Sequence, residues 1–257
     1  MKKLLVLVTL IVCVAAIILG NLHWNNKIST QGAVTSTSKS VSLKEEPEEE
    51  KIEIDVSKYA SNLPKDLQEK ISNASSTGKQ LKLVIFGTSD EKGAWSDQFS
   101  EELKATYGEN VFEVTVLSTG DKTTLDVIKD QSYEGINELS PDILLFEPSM
   151  LKDNGLIGIE NTLDNIQKMI DSWKAENEDM TLMIQPPNPL YDATYYPSEV
   201  SQLKAYAEEN DMIYLNHWEN WPDLDDVKMK DYLTESKANE SGNKVWADYL
   251  LNYFIAE

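Results

Sequence analysis

The sequence predicts an α/β fold, a three-layer α/β/α sandwich built on a five-stranded, mainly parallel sheet. Three observations carry that expectation. Five short apolar runs recur between residues 81 and 215. Stretches with apolar residues at helical spacing separate them. Finally, 257 residues suit one core of ordinary size, and no internal repeat points to a solenoid. Strands that alternate with helices pair in parallel, because each crossover helix returns the chain to start the next strand in the same direction.

Taken in order, Lys2 and Lys3 precede sixteen uncharged, mostly apolar residues, Leu4 to Leu19. This is a signal-type segment, slightly short for a bilayer span of roughly 20 residues. The next residues, Gly20-Asn21-Leu22-His23-Trp24, lack a small-x-small cleavage pattern, so an uncleaved signal anchor is favoured over a cleaved peptide across residues 1–24. Either reading sends the remainder outside the cytoplasm, anchored to the membrane or secreted, since the positive end stays inside. Residues 25–52 are rich in Ser, Thr, Lys and Glu and almost free of large apolar side chains, which predicts an acidic tether that cannot bury enough surface to fold. Residues 53–257 then form the folded domain.

Within that domain, Leu63 to Ile71 predicts a short helix with Pro64 in its first turn. Strands are expected at 81–86, 111–117, 143–146, 181–184 and 212–215. Trp95, Phe99, Leu103 and Tyr107 mark one helical stripe, closed by Gly108. Leu163, Ile166, Ile170 and Trp173 mark a second. Val245, Trp246, Tyr249, Leu250, Tyr253 and Phe254 mark the last, and its aromatics read as core. The segment 185–197 is long, proline-braced and aromatic. With Trp95, Trp218 and Trp221 it either lines a groove suited to sugar rings or caps the sheet edge.

Charge and composition exclude several function classes. Asp and Glu number 44 against 23 Lys and Arg, for a net charge of −21, so bare nucleic acid is not an expected partner. Cys13 is the one cysteine and sits in the apolar N-terminal run, so the outer part uses no disulfides. There is no glycine-rich phosphate or dinucleotide loop and no His/Cys cluster, so neither cofactor nor metal is expected.

In a parallel α/β sheet the working site lies at the carboxyl ends of the strands. The loops that follow Phe86, Leu117, Phe146, Ile184 and Leu215 are therefore the places for chemistry. The first reads Gly87-Thr88-Ser89-Asp90. A serine on a tight strand-to-helix turn projects its hydroxyl above the sheet, where hydrolases place a nucleophile. The second loop, Leu117 to Thr124, contains Gly120, whose bare backbone suits either an ordinary turn or close approach to developing negative charge. The third loop, Phe146 to Gly155, offers Asn154 as an amide donor or as half of an Asn-Gly turn, and Lys152 as an alternative cation.

Across about residues 81–256 these loops resemble the blocks of the SGNH, or GDSL-type, hydrolases. The resemblance implies the SGNH fold, which is flavodoxin-like, with Ser89 as nucleophile although Thr88 replaces the usual acidic residue. It also implies Gly120 as an oxyanion donor and Asn154 or Lys152 in the place of the third-block Asn. The final block departs from the family. Ala238 to Ala247 matches its downstream part, which places Thr234 and Lys237 where the family has the Asp and His of Asp-x-x-His. A serine hydroxyl needs a base nearby. The candidates are Lys237 and His217, the latter in Asn216-His217-Trp218-Glu219 after the fifth strand. Two functions remain open. One is a serine ester hydrolase that cleaves acyl or acetyl esters of a small molecule or an acylated envelope glycan. The other is a catalytically impaired SGNH-like domain that binds a surface glycan or envelope protein.

Overall fold

The computed structural model describes residues 56–88 and 92–256. The expected membrane segment 1–24, the tether 25–52 and Ser89 itself lie outside the described residues. Among the described residues no helix is long and apolar enough to cross a membrane.

Alternation along the strands explains the layers. The sheet comprises β1 (Leu81–Gly87), β2 (Phe112–Ser118), β3 (Ile143–Phe146), β4 (Thr181–Ile184) and β5 (Ile213–Tyr214), in the order β2-β1-β3-β4-β5 with every pair parallel. Successive side chains point to opposite faces. Leu83, Ile85 and Leu145 enter one core, while Val84, Phe86, Leu144 and Phe146 enter the other. β1 and β3 are therefore apolar on both faces, as central strands of a covered sheet must be.

The first core is covered by α1 (Lys65–Thr77), α2 (Trp95–Tyr107) and, at the far end of the chain, the helix Glu240–Phe254. The opposite face is covered by α3 (Thr124–Lys129), α4 (Gly135–Leu139), α6 (Ile159–Glu176) and α7 (Tyr196–Glu209), with the single-turn α5 (Met150–Asp153) between β3 and α6. The C-terminal helix is thus α8. The predicted strands agree with the observed ones to within a residue at each end. Gly108 closes α2 with a φ of 92°, where a side chain would be strained.

Two elements were not foreseen from the sequence. The segment 185–197 runs straight into α7, whose stripe of Tyr196, Val200, Leu203 and Ala207 is buried. Its Pro197 lies in the first turn, the one helical position that loses nothing by lacking an N–H. A hairpin, β6 (Leu233–Thr234) and β7 (Lys237–Ala238), precedes α8. Its two-residue turn, Glu235-Ser236, has φ of 50° and 68°. Positive φ at both positions matches strand twist but is usually supplied by Asn-Gly, which is why no hairpin signal was visible.

Candidate active site

The carboxyl ends of the strands open into a cleft of about 740 Å³. Thr88 at the end of β1, Gly120 after β2, Lys152 of α5, Asn188 after β4 and Lys237 of β7 all line it. Ser89, the proposed nucleophile, follows Thr88 in the sequence.

Three loops are tied together beneath the cleft. The carbonyl of Gly87 accepts from the Thr119 N–H at 2.7 Å and from its hydroxyl at 3.1 Å. Thr119 Oγ1 also shares a 3.0 Å hydrogen bond with Ser149 Oγ. The buried Asp153 carboxylate accepts from the Thr124 N–H at 2.8 Å and from the hydroxyls of Thr124 and Thr162 at 2.5 and 2.7 Å. Thr123 caps α3 in a reciprocal capping box with Asp126. The Gly120 loop is therefore held on both sides. Gly120 itself has a φ of 58°, a left-handed conformation that suits glycine, and its N–H donates to Ser118 Oγ at 3.1 Å.

Asn154 is not part of this wall. After β3 the chain closes one helical turn, which carries Leu151 and Lys152 to the cleft, while Asn154 terminates it with its N–H on Met150 O. Gly155 follows at a φ of 76°, so Asn154-Gly155 is a turn pair, and of the two third-block candidates it is Lys152 that lines the cleft. Lys152 Nζ lies 2.5 Å from Asp121 Oδ1. That hydrogen bond, with the charges of Lys152 and Lys237, holds the exposed Asp121 carboxyl below its usual range.

His217 is also withdrawn from the cleft. It is fully buried, and both ring nitrogens are engaged. Trp221 Nε1–H donates to Nδ1 at 3.0 Å, so Nε2 carries the proton and donates to Pro186 O at 2.9 Å. Trp246 stacks on His217 at 4.0 Å and on Trp95 at 4.7 Å. Burial pushes the imidazole down to about 3, so it is neutral and structural rather than a base. Its neighbours are similarly occupied. Trp218 donates to Pro187 O at 2.7 Å and packs on Tyr196, and neither Trp218 nor Trp221 lines the cleft. Segment 185–197 acts as a brace, with one cleft contribution. Asn188 lines the cleft and donates to Ser236 O at 3.1 Å, pinning the hairpin that presents Lys237.

Sequence reasoning passed over Glu147. This residue directly follows β3 and has no exposed surface. Its Oε1 accepts from Thr88 Oγ1 at 2.7 Å and its Oε2 from the Thr88 N–H at 3.2 Å. Burial pushes its carboxyl up from 4.5 to about 7, against the opposing pull of the Thr88 bonds and the Lys152 charge. A charged residue that closes an otherwise apolar strand was the available signal.

The raised value gives a stability prediction. The folded chain holds the proton more tightly than the unfolded chain. The resulting stabilisation is complete below about pH 4.5 and is lost as pH rises through about 7, and it amounts to about 3 kcal/mol. Urea denaturation at pH 8 and at pH 4.5 should show the parent gaining that amount on acidification relative to Glu147→Gln. The subtraction removes the general effect of neutralising an acidic chain. An equal response in both proteins would refute the buried-acid account.

The fold is similar to that of solved GDSL lipases and esterases. A GDSL-like lipase from Bacteroides thetaiotaomicron superposes with a TM-score of 0.51 at 14% identity, covering 70% of this chain and 89% of its own. A carbohydrate esterase family 3 protein from Talaromyces cellulolyticus gives 0.55 at 11% identity over 66% and 94%. An acetyl xylan esterase gives 0.53 at 14% identity over 66% and 98%. No protein-family model and no curated protein sequence matches the chain. At these identities the fold is shared, and function must be argued from the site. Among the described residues, no group of three or more His, Cys, Asp or Glu side chains is placed to hold a metal.

Proposed function

We propose that this protein is an extracytoplasmic SGNH-type serine ester hydrolase, held at the membrane by residues 1–24. It removes acyl or acetyl groups from an envelope polysaccharide or a smaller ester. The observation that carries this reading is the convergence of Thr88, Gly120 and Lys237 from three separate loops on one cleft at the carboxyl edge of the sheet. In this scheme Ser89 attacks the ester carbonyl and forms an acyl-enzyme that water then resolves. The Gly120 N–H, released from Ser118, and the Lys152 ammonium stabilise the oxyanion. Lys237 takes the base role in this scheme, acting through the uncharged amine that burial under bound substrate would favour.

The test is acid release from p-nitrophenyl acetate and from acetylated glycans by the full-length chain. Ser89→Ala should lower turnover by about 10³-fold or more. Lys237→Ala should lower it by about 10²-fold or more.

A second reading has its own support. No histidine among the described residues reaches the cleft, and the Gly120 N–H is occupied by Ser118 Oγ. A domain that binds an envelope glycan without turnover would show no acid release above the Ser89→Ala background. It would show glycan binding that Ser89→Ala leaves unchanged.

A further inference from the structure

The carboxylate of Glu147 holds Thr88, the residue before the proposed nucleophile, and four features show that the end of β1 is built around it. Glu147 is completely buried at the end of β3, next to β1 in the sheet. It takes both donors of Thr88, main chain and side chain, with its two separate oxygens. Thr88 belongs to the cleft wall and is followed by Ser89. Residue 87 must lack a side chain, because a Cβ there would stand 2.5 Å from Glu147 Oε2 and 3.2 Å from its Cβ. A buried carboxylate is tolerated only where hydrogen bonds compensate its lost hydration, and here Thr88 supplies two.

We infer that Glu147 is a positioning residue for the proposed nucleophile: its carboxylate grips Thr88, the residue before Ser89, by N–H and hydroxyl together, and uptake of a proton on that carboxylate loosens the grip. The inference rests on the serine-hydrolase reading for its consequence, and on the Thr88 contacts for its mechanism. Hydrogen bonds to an ionised acceptor are shorter and about twice as strong as neutral ones. A proton on Oε2 would face the Thr88 N–H, donor against donor. A proton on Oε1 would oblige the Thr88 hydroxyl to turn and accept. In the first case the grip becomes one-point, and in the second it keeps both contacts as weaker, neutral hydrogen bonds.

Two other titratable side chains act on the pair. The Lys152 ammonium from α5 favours the carboxylate. The buried Tyr196 phenol from α7 is pushed well above its ordinary range, first by burial and then by the Glu147 charge, so it stays neutral. With the carboxyl raised to about 7, the change from the weaker to the stronger grip falls near neutral pH.

The experiment follows two signals in the full-length chain between pH 5.5 and 8.5. One is the backbone amide resonance of residue 88. The other is the rate at which a fluorophosphonate labels Ser89, read on the peptide that carries it. The amide should titrate with a midpoint near 7 in the parent, lose that step in Glu147→Gln, and show a higher midpoint in Thr88→Val, which removes the hydroxyl bond favouring the carboxylate. Labelling should rise along the same curve, and Glu147→Gln should lower its high-pH plateau about 10- to 100-fold. An amide that does not titrate, or whose titration survives in Glu147→Gln, overturns the grip. A titrating amide with Ser89 labelling that is measurable but independent of Glu147 overturns the positioning role. A titrating amide with no labelling at any pH upholds the grip and defeats the serine-hydrolase reading, so the two failures are distinct. Thr88→Val leaves the buried carboxyl in place, which keeps the test open if Glu147→Gln folds poorly.

Discussion

Gly242→Ala is expected to lower the stability of the domain by about 3 kcal/mol or more, the upper range for forcing a methyl into a filled core. On helix propensity alone the change would be favourable by about 1 kcal/mol, since Gly242 sits within α8. Space decides the sign. A Cβ at residue 242 would collide with the carbonyl oxygen of Tyr232, and would stand 2.8 and 3.1 Å from Cη2 and Cζ3 of Trp221. Neither neighbour is free to retreat. The Tyr232 carbonyl accepts the Asn239 N–H at 3.0 Å, and Trp221 is buried with its Nε1–H on His217. The damage reaches the cleft, because the next residue, Asn243, accepts the Trp95 N–H at 2.9 Å and so joins the starts of α2 and α8. Thermal unfolding should show a midpoint lower by roughly 6–12 °C. A midpoint within about 3 °C of the parent would mean that α8 can shift away from Trp221 and Tyr232, and would refute this account.

The same residue shows how far sequence reading reached. Gly242 belongs to the stretch that matches the last SGNH block, so its presence was legible, while its reason was not. The carbonyl it clears comes from a segment whose hairpin has two-residue strands and an uncharacteristic Glu-Ser turn. The sheet was legible because its strands are apolar runs bounded by polar loops, and the order of loops placed Ser89 and Gly120 after β1 and β2. For Asn154 and His217 the sequence left more than one role open, for a common reason. Chain position brought each near the correct rim of the sheet, but contacts decide which way a side chain faces. One turn of helix carries Asn154 past the cleft, and the Trp95–Trp246–His217 stack seals His217 behind it. Of those three rings, Trp246 comes from the far end of the chain, and no local pattern announces the pairing.

The second large effect is expected at Gly87. Its φ lies outside the left-handed region, so an alanine is compatible with the backbone, and only space excludes it. The nearest obstacle is the Glu147 carboxylate, normally a mobile group that could yield. Here it is buried and bound twice to Thr88, so making room for a methyl detaches it from both donors. Two hydrogen bonds to a carboxylate, at about 1.5–3 kcal/mol each, set the expected loss for Gly87→Ala near 4 kcal/mol. The cause can be separated from simple crowding by a double-mutant cycle. Glu147→Ala removes the atoms that would lie at 2.5 and 3.4 Å and leaves only the Cβ at 3.2 Å. In that background Gly87→Ala should cost no more than about 1.5 kcal/mol, the ordinary price of a tight contact. The coupling between the two positions, read from urea denaturation at one pH, should therefore be about 2–3 kcal/mol. Additive effects would show that residue 87 is small for a reason unrelated to Glu147. Coupling of the expected size would make the glycine before the Thr88–Ser89 turn and the acid beneath it one unit, since each residue type is required only while the other is present.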